Sequence, residues 1–174
     1  MPTARLTVLD APACKTIADA AVAETRAFWP GSVSSFDLAV WENLVQLGGW
    51  KVTANNGAMR GFIITPERPV PVGPNSGERA EEMFIWYAAQ GLSNAVFASS
   101  TKELWTAWWT DLRDRGIPFG WGRNAPQYPT RTETLFQNAI TRGGMQMITS
   151  VEDGVAWRYV VMRPPDALAG LARL

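Results

Sequence analysis

The stretch from Met83 to Met162 constrains the fold of this chain more than any other part of it. Met83 to Ala89 is an apolar run without clean alternation, the signature of a central strand buried on both faces. Ser100-Thr101-Lys102-Glu103 has the spacing of a capping box, and Leu104, Trp105, Trp108 and Leu112 follow on one helical face. Arg113 and Arg115 suit the C-terminal end of that helix, and Gly116 closes it. Ile117 to Arg123 predicts the next strand. Thr130-Arg131-Thr132-Glu133 is a second capping box, leading into a helix with Leu135, Phe136, Ala139 and Ile140 and ended by Gly143-Gly144. Met145 to Thr149 and Val155 to Met162 then pair across Glu152-Asp153-Gly154. A loop and a helix N-terminus after a central strand is where α/β proteins hold phosphates.

The first half supplies the remaining elements. Arg5 to Leu9 predicts a short strand, and Asp10 caps a helix with Pro12 in its first turn that runs to about Phe28. Ser34 with Asp37 opens a second helix, with Leu38, Trp41, Leu44 and Val45 on one face and Gly48-Gly49 at its end. Trp50 to Ala54 and Met59 to Thr65 form a hairpin around Asn55-Asn56-Gly57. Pro66, Pro69, Pro71 and Pro74, with Gly73 and Gly77, predict a long exposed loop to about Arg79, lying within the domain and not at its boundary. The expected order is β-α-α-β-β-β-α-β-α-β-β. It describes one α/β (α+β) domain over residues 1–163, a mixed and mostly antiparallel central sheet flanked by about four helices. Residues 164–174 read as a loose or weakly helical tail.

Composition removes several kinds of chemistry. The chain has no histidine, which excludes histidine-dependent triads and histidine-ligated metals, and no metal site is expected. Cys14 is the single cysteine, so no internal disulfide can form, and its place in the first helix predicts a packed core thiol. Any catalysis must come from carboxylates, tyrosines, hydroxyls or backbone amides. Sixteen basic and sixteen acidic residues balance, giving no strong nucleic-acid signal. Arg113, Arg115, Arg123 and Arg131 are the candidates for a local basic patch, against the plainer reading of scattered solvated arginines. No apolar run reaches the roughly 20 residues that span a bilayer, and the N-terminal residues lack the basic flank and apolar core of a signal peptide. A soluble intracellular protein without membrane contact is expected. Nine tryptophans, including Trp86, Trp105, Trp108, Trp109 and Trp121, point to an aromatic core or to a protein contact surface.

In its element order the chain resembles the GNAT superfamily of acyl-CoA N-acyltransferases, from Leu6 to Met162. That family holds the acyl-CoA pyrophosphate on backbone amides between its fourth strand and third helix, in a pattern R/Q-x-x-G-x-G/A. Gln90-Gly91-Leu92-Ser93-Asn94-Ala95 matches its first and last positions, with Ser93 at the middle glycine, where a side chain obstructs close approach. Val96 to Ser100 then intervene before the expected helix start. Asn124 stands after the fifth strand, as asparagine often does in the family. Phe136 takes the place of the tyrosine that protonates the leaving thiolate, and Tyr128 is the nearest substitute. A general base would be a carboxylate near the middle of the sheet. Phe84, Ile85, Trp86 and Tyr87 offer none, and Glu81 and Glu82 read as solvating the loop end.

The chain is also similar to the GNAT-like internal virion proteins of short-tailed bacteriophages. That resemblance implies a protein of the phage particle or its assembly, in the virion or host cytoplasm, which kept the fold, met other virion proteins and needed no cofactor. The missing glycine and tyrosine and the many tryptophans favour this reading. The alternative is an active acyltransferase using acetyl-CoA on a small amine or a protein N-terminus. A binding module that keeps the cleft for another ligand is the third reading.

Overall fold

Thr3–Arg5 forms β1, and the chain then turns into a 3-10 segment at Val8–Asp10 instead of extending as strand to Leu9. The cause is local: the Thr7 backbone N–H and hydroxyl both donate to the Asp10 carboxylate, at 2.8 and 3.1 Å, which curls the backbone. This computed structural model describes residues 2–25, 36–124 and 147–174. The expected helix around Leu135 and Phe136, its capping box and Gly143-Gly144 lie outside the described residues.

The described elements belong to two compact units, one of residues 1–66 and 85–107, the other of 67–84 and 108–174. In the first, α1 (Ala11–Thr25), α2 (Leu38–Gln46), β2 (Gly49–Thr53) and β3 (Met59–Ile64) follow β1. Gly48, at φ +102°, ends α2, and Gly57, at φ +83°, forms the hairpin turn between β2 and β3. The run from Met83 does not make one doubly buried strand. It breaks at Phe84 into β4 (Ala80–Met83) and β5 (Ile85–Ala88), and β5 is only half-buried. The sheet order is β1-β2-β3-β5, antiparallel throughout, with Ile63 set between Trp50 and Trp86. Cys14, Ile17, Trp41, Val45, Phe62 and Ile64 pack into its core.

The second unit holds β4, β6 (Phe119–Asn124), β7 (Met147–Glu152), β8 (Val155–Met162) and the end of α3 (Asn94–Asp114), the helix that the two units share. Its sheet runs β4-β6-β8-β7, with β4 and β6 parallel and the other pairs antiparallel. Asp153 and Gly154, at φ +49° and +76°, make the tight turn between β7 and β8. Residues 164–171 form a helix, α4, with Ala167, Gly170 and Leu171 buried, so of the two expectations for the tail the helical one holds. Pro164 and Pro165 in its first turn are tolerated, and Asp166 there favours the helix N-terminus.

Of the nine tryptophans, Trp41, Trp105, Trp108, Trp109 and Trp121 are buried, so for these the core reading holds. Each such side chain contributes about 1.5–3 kcal/mol through removal of apolar area from water. No helix among the described residues is long and apolar enough to cross a membrane.

Candidate functional site

In the first unit, β5 ends at Ala88, and the Ala89 N–H donates to the Arg60 carbonyl at 2.9 Å. Gln90 and Gly91 then turn the chain, Gly91 adopting φ +75°, and α3 begins at Asn94. The sequence had placed the helix start at Ser100, with Val96 to Ser100 as an intervening segment. Those five residues are instead the first turns of α3. Phe97, Ser100, Thr101 and Leu104 are all buried, which continues the spacing of Trp105, Trp108 and Leu112 back toward the N-terminus. Ser100-Thr101-Lys102-Glu103 has the letters of a capping box inside a helix already formed.

The cap itself is Ser93. Its Oγ accepts from the Val96 N–H at 3.3 Å, and its carbonyl accepts from the Phe97 N–H at 2.9 Å. The residue expected to obstruct the loop therefore satisfies one of the helix's own amides. The first-turn N–H groups of Asn94 and Ala95 have no intrahelical partner, by the geometry of any α-helix. No acidic residue occupies that turn, so nothing there offsets the positive end of the helix. Gln90, Gly91, Ser93, Asn94 and Ala95 are all exposed. The structure thus brings these five predicted residues together on one accessible helix start, an arrangement that attracts phosphate.

In the second unit, Glu81 and Glu82 do not solvate a loop end. Both lie within β4 and are buried, at 5% and 2% exposure. They alternate across the sheet, and each meets a guanidinium, which is what makes burial of a carboxylate tolerable. Glu81 accepts from Trp108 Nε1 at 3.0 Å and pairs with Arg115, which also holds Asp111. Glu82 Oε2 accepts from Arg68 Nη1 at 2.6 Å. Burial pushes the Glu82 carboxyl above the usual carboxylate range, while Arg68 and the charge of Arg123 pull against that shift. Two adjacent glutamates ahead of an apolar run ordinarily read as surface. The readable hint was Arg68 in the proline-rich segment and Arg115 at a helix end, each far in sequence from its partner.

The remaining predicted residues separate. Asn124 ends β6, paired with Arg158 of β8. Tyr128, Phe136 and Arg131 lie outside the described residues. The expected basic patch is not an uncompensated one. Arg113 pairs with Asp114, Arg115 with Asp111 and Glu81, and Arg123 with Glu152. Cys14 is fully buried and burial pushes its thiol up to about 12, with the Asp10 charge adding to the effect. Among the described residues no group of three acidic or thiol side chains is placed to hold a metal ion.

No protein-family profile matches the sequence, and no curated protein matches it by sequence. Solved structures do match. A Desulfovibrio desulfuricans protein described as a GNAT-family acetyltransferase superposes with a TM-score of 0.61 at 12% identity, over 94% of this chain and 98% of the other. The ribosomal-protein-alanine N-acetyltransferase of Brucella melitensis gives 0.63 at 14% identity, over 94% and 99%. An aminoglycoside 6'-acetyltransferase of type Ii gives 0.64 at 9% identity, over 94% and 97%. At such identities the likeness lies in the fold, and this chain has the fold of the GNAT acetyltransferases.

Proposed function

We propose that this protein is an acyl-CoA-dependent N-acyltransferase. The observation that carries the reading is the start of α3 shortly after the Gln90-Gly91 turn, which leaves the Asn94 and Ala95 amides without an intrahelical partner at an exposed helix start. Gln90, Gly91, Ser93, Asn94 and Ala95 would hold the pyrophosphate of the acyl donor through their backbone. The bound donor supplies an activated thioester. Glu82 is the carboxylate that would take the proton from the acceptor amine, since burial raises its proton affinity above the ordinary value. Tyr128 remains the residue the sequence offers for protonating the thiolate, and Asn124 the strand-end residue of the family pattern.

Three features of the sequence favour a fold without catalysis: the missing glycine, the missing tyrosine and the many tryptophans. Two have another account: Ser93 is a helix cap, and five of the tryptophans are buried in the core. In this reading β4 would supply the carboxylate that the central apolar run lacks. The virion or assembly role rests on sequence pattern alone, and the solved structures named above are acetyltransferases. The donor's acyl group and the acceptor amine are open, with a peptide N-terminus and an amino sugar both among the chemistries to screen.

The test is a thermal-shift titration with acetyl-CoA, with free CoA as comparison. Ligand at 100 times its dissociation constant should add roughly 2.7 kcal/mol of stability. Asn94→Trp, which places an indole at the exposed first turn, should abolish the shift while leaving the unliganded melting temperature unchanged. No shift at millimolar acetyl-CoA would refute the proposal and return the assembly role to first place.

A further inference from the structure

Arg68 lies in the proline-rich segment between β3 and β4, where an exposed arginine would normally be free to move. Here its backbone and its side chain are both tied, by separate contacts. Its N–H donates to the Ala80 carbonyl at 3.0 Å, and its carbonyl accepts from Trp121 Nε1 at 3.1 Å. Its guanidinium carbon sits 4.5 Å from the centre of the Phe84 ring, a cation–π contact at the break between β4 and β5. From that position Nη1 donates to Glu82 Oε2. The side chain of Glu82 is 2% exposed and that of Arg68 46% exposed, so the pair is a buried carboxylate with a guanidinium lid at the surface.

Resting on the reading of Glu82 as the base, we infer that Arg68 is a positioning residue for it: the guanidinium fixes the carboxylate in place and favours its ionised form. Physically, a carboxylate this deep and without a cation would hold its proton through neutral pH and be useless as an acceptor. Arg68 opposes that tendency without abolishing it, which leaves proton affinity raised but the ionised state within reach. Among the described residues, the charges acting on Glu82 are those of Arg68 and Arg123. Arg123 of β6 adds a second, weaker pull, and is itself held by Glu152 of β7, to which Tyr159 of β8 also donates. Glu81, on the opposite face, is taken up by Arg115. Arg68 is therefore the dominant cation on Glu82.

The experiment uses full-length protein with 13C-labelled glutamate carboxyl groups, the Glu82 signal being assigned by its loss in Glu82→Gln. In Arg68→Ala the Glu82 titration midpoint should rise by about one to three pH units. Arg68→Lys, which keeps a charge but not the planar fork, should recover part of the rise. The acid limb of kcat/KM for acyl transfer should move with the midpoint, whereas a merely structural role would lower activity equally at every pH. A Glu82 midpoint that stays in place in Arg68→Ala overturns the inference whatever the activity does. A midpoint that moves while the acid limb stays put overturns the catalytic role, and locates the fault in the choice of Glu82 as base. Absence of acyl transfer by the wild-type protein, with the midpoint moving as expected, overturns the proposed function and any catalytic role for Arg68 with it.

Discussion

Gly120 is the second residue of β6, and a methyl group added there would have nowhere to go. A Cβ at this position would meet Trp109 Cζ3 at 2.4 Å, Cη2 at 2.6 Å and Leu112 Cδ1 at 2.8 Å. Carbon atoms rest at about 3.5–4.0 Å, so the ring would have to retreat by roughly 1 Å or more. It has little freedom to do so. Trp109 is 5% exposed and its ring centre lies 4.5 Å from that of Trp108, which is anchored by its bond to Glu81. Gly120→Ala should therefore cost about 2–3 kcal/mol, the upper part of the range for overpacking a closed core. For a chain of this size that lowers the melting temperature by about 5–10 °C. Urea melts should show a lower midpoint at unchanged slope, since the unfolded surface is the same. Shortening the ring in a Trp109→Leu/Gly120→Ala double variant should return at least about 1 kcal/mol relative to additivity. A Gly120→Ala protein as stable as wild type would refute the packing of α3 against this face of β6.

Three further outcomes are expected. Glu82 binds its proton more tightly in the fold than in the unfolded chain, so the stability it contributes is full below the ordinary value of 4.5 and is lost as pH rises through the raised value. Glu82→Gln, fixed in the neutral form, should be more stable than wild type near pH 7 and level with it near pH 4 in urea melts. Cys14 should resist thiol reagents at neutral pH and react only as fast as the protein unfolds, because it is buried and its thiol is pushed up to about 12. That silence would let CoA release be followed with a thiol dye without background from the protein. Ser93→Ala should cost about 1 kcal/mol by circular dichroism melts, whereas Ser93→Gly should cost only a few tenths and leave acetyl-CoA binding intact.

Much of the fold was legible because its signals are local. The β7–β8 hairpin follows from Asp153-Gly154, the end of α2 from Gly48, and the buried face of α3 from Leu104, Trp108 and Leu112, each set by residues a few positions apart. The errors came where distant partners decide the outcome. Glu81 and Glu82 look like surface until Arg115 and Arg68 are brought to them. Ser100 and Thr101 look like a helix start until Phe97 is buried one turn earlier. The break at Phe84 could not be read from an apolar run, because it is fixed by β4 pairing with β6 while β5 pairs with β3. For the candidate site, the Gln90–Ala95 segment was visible as a pattern, and the burial of Glu82 was not.

The two compact units interleave along the chain, which passes from the first to the second at Pro66, back at Phe84 and over again at Ala107. No single cut can then separate them. A fragment ending after Ala107 would contain every residue of the first unit, but it would carry off β4, the strand on which the second sheet begins. During synthesis the first unit can close once Ala107 has left the ribosome, while β4 waits with its two buried glutamates for β6, β8 and Arg115 to follow. Until they arrive, Arg68 is the counter-ion that reaches Glu82. The proline-rich segment would thus give nascent chains their earliest protection against exposing an unpaired strand, and removing Arg68 should lower soluble yield before it lowers the stability of the finished protein.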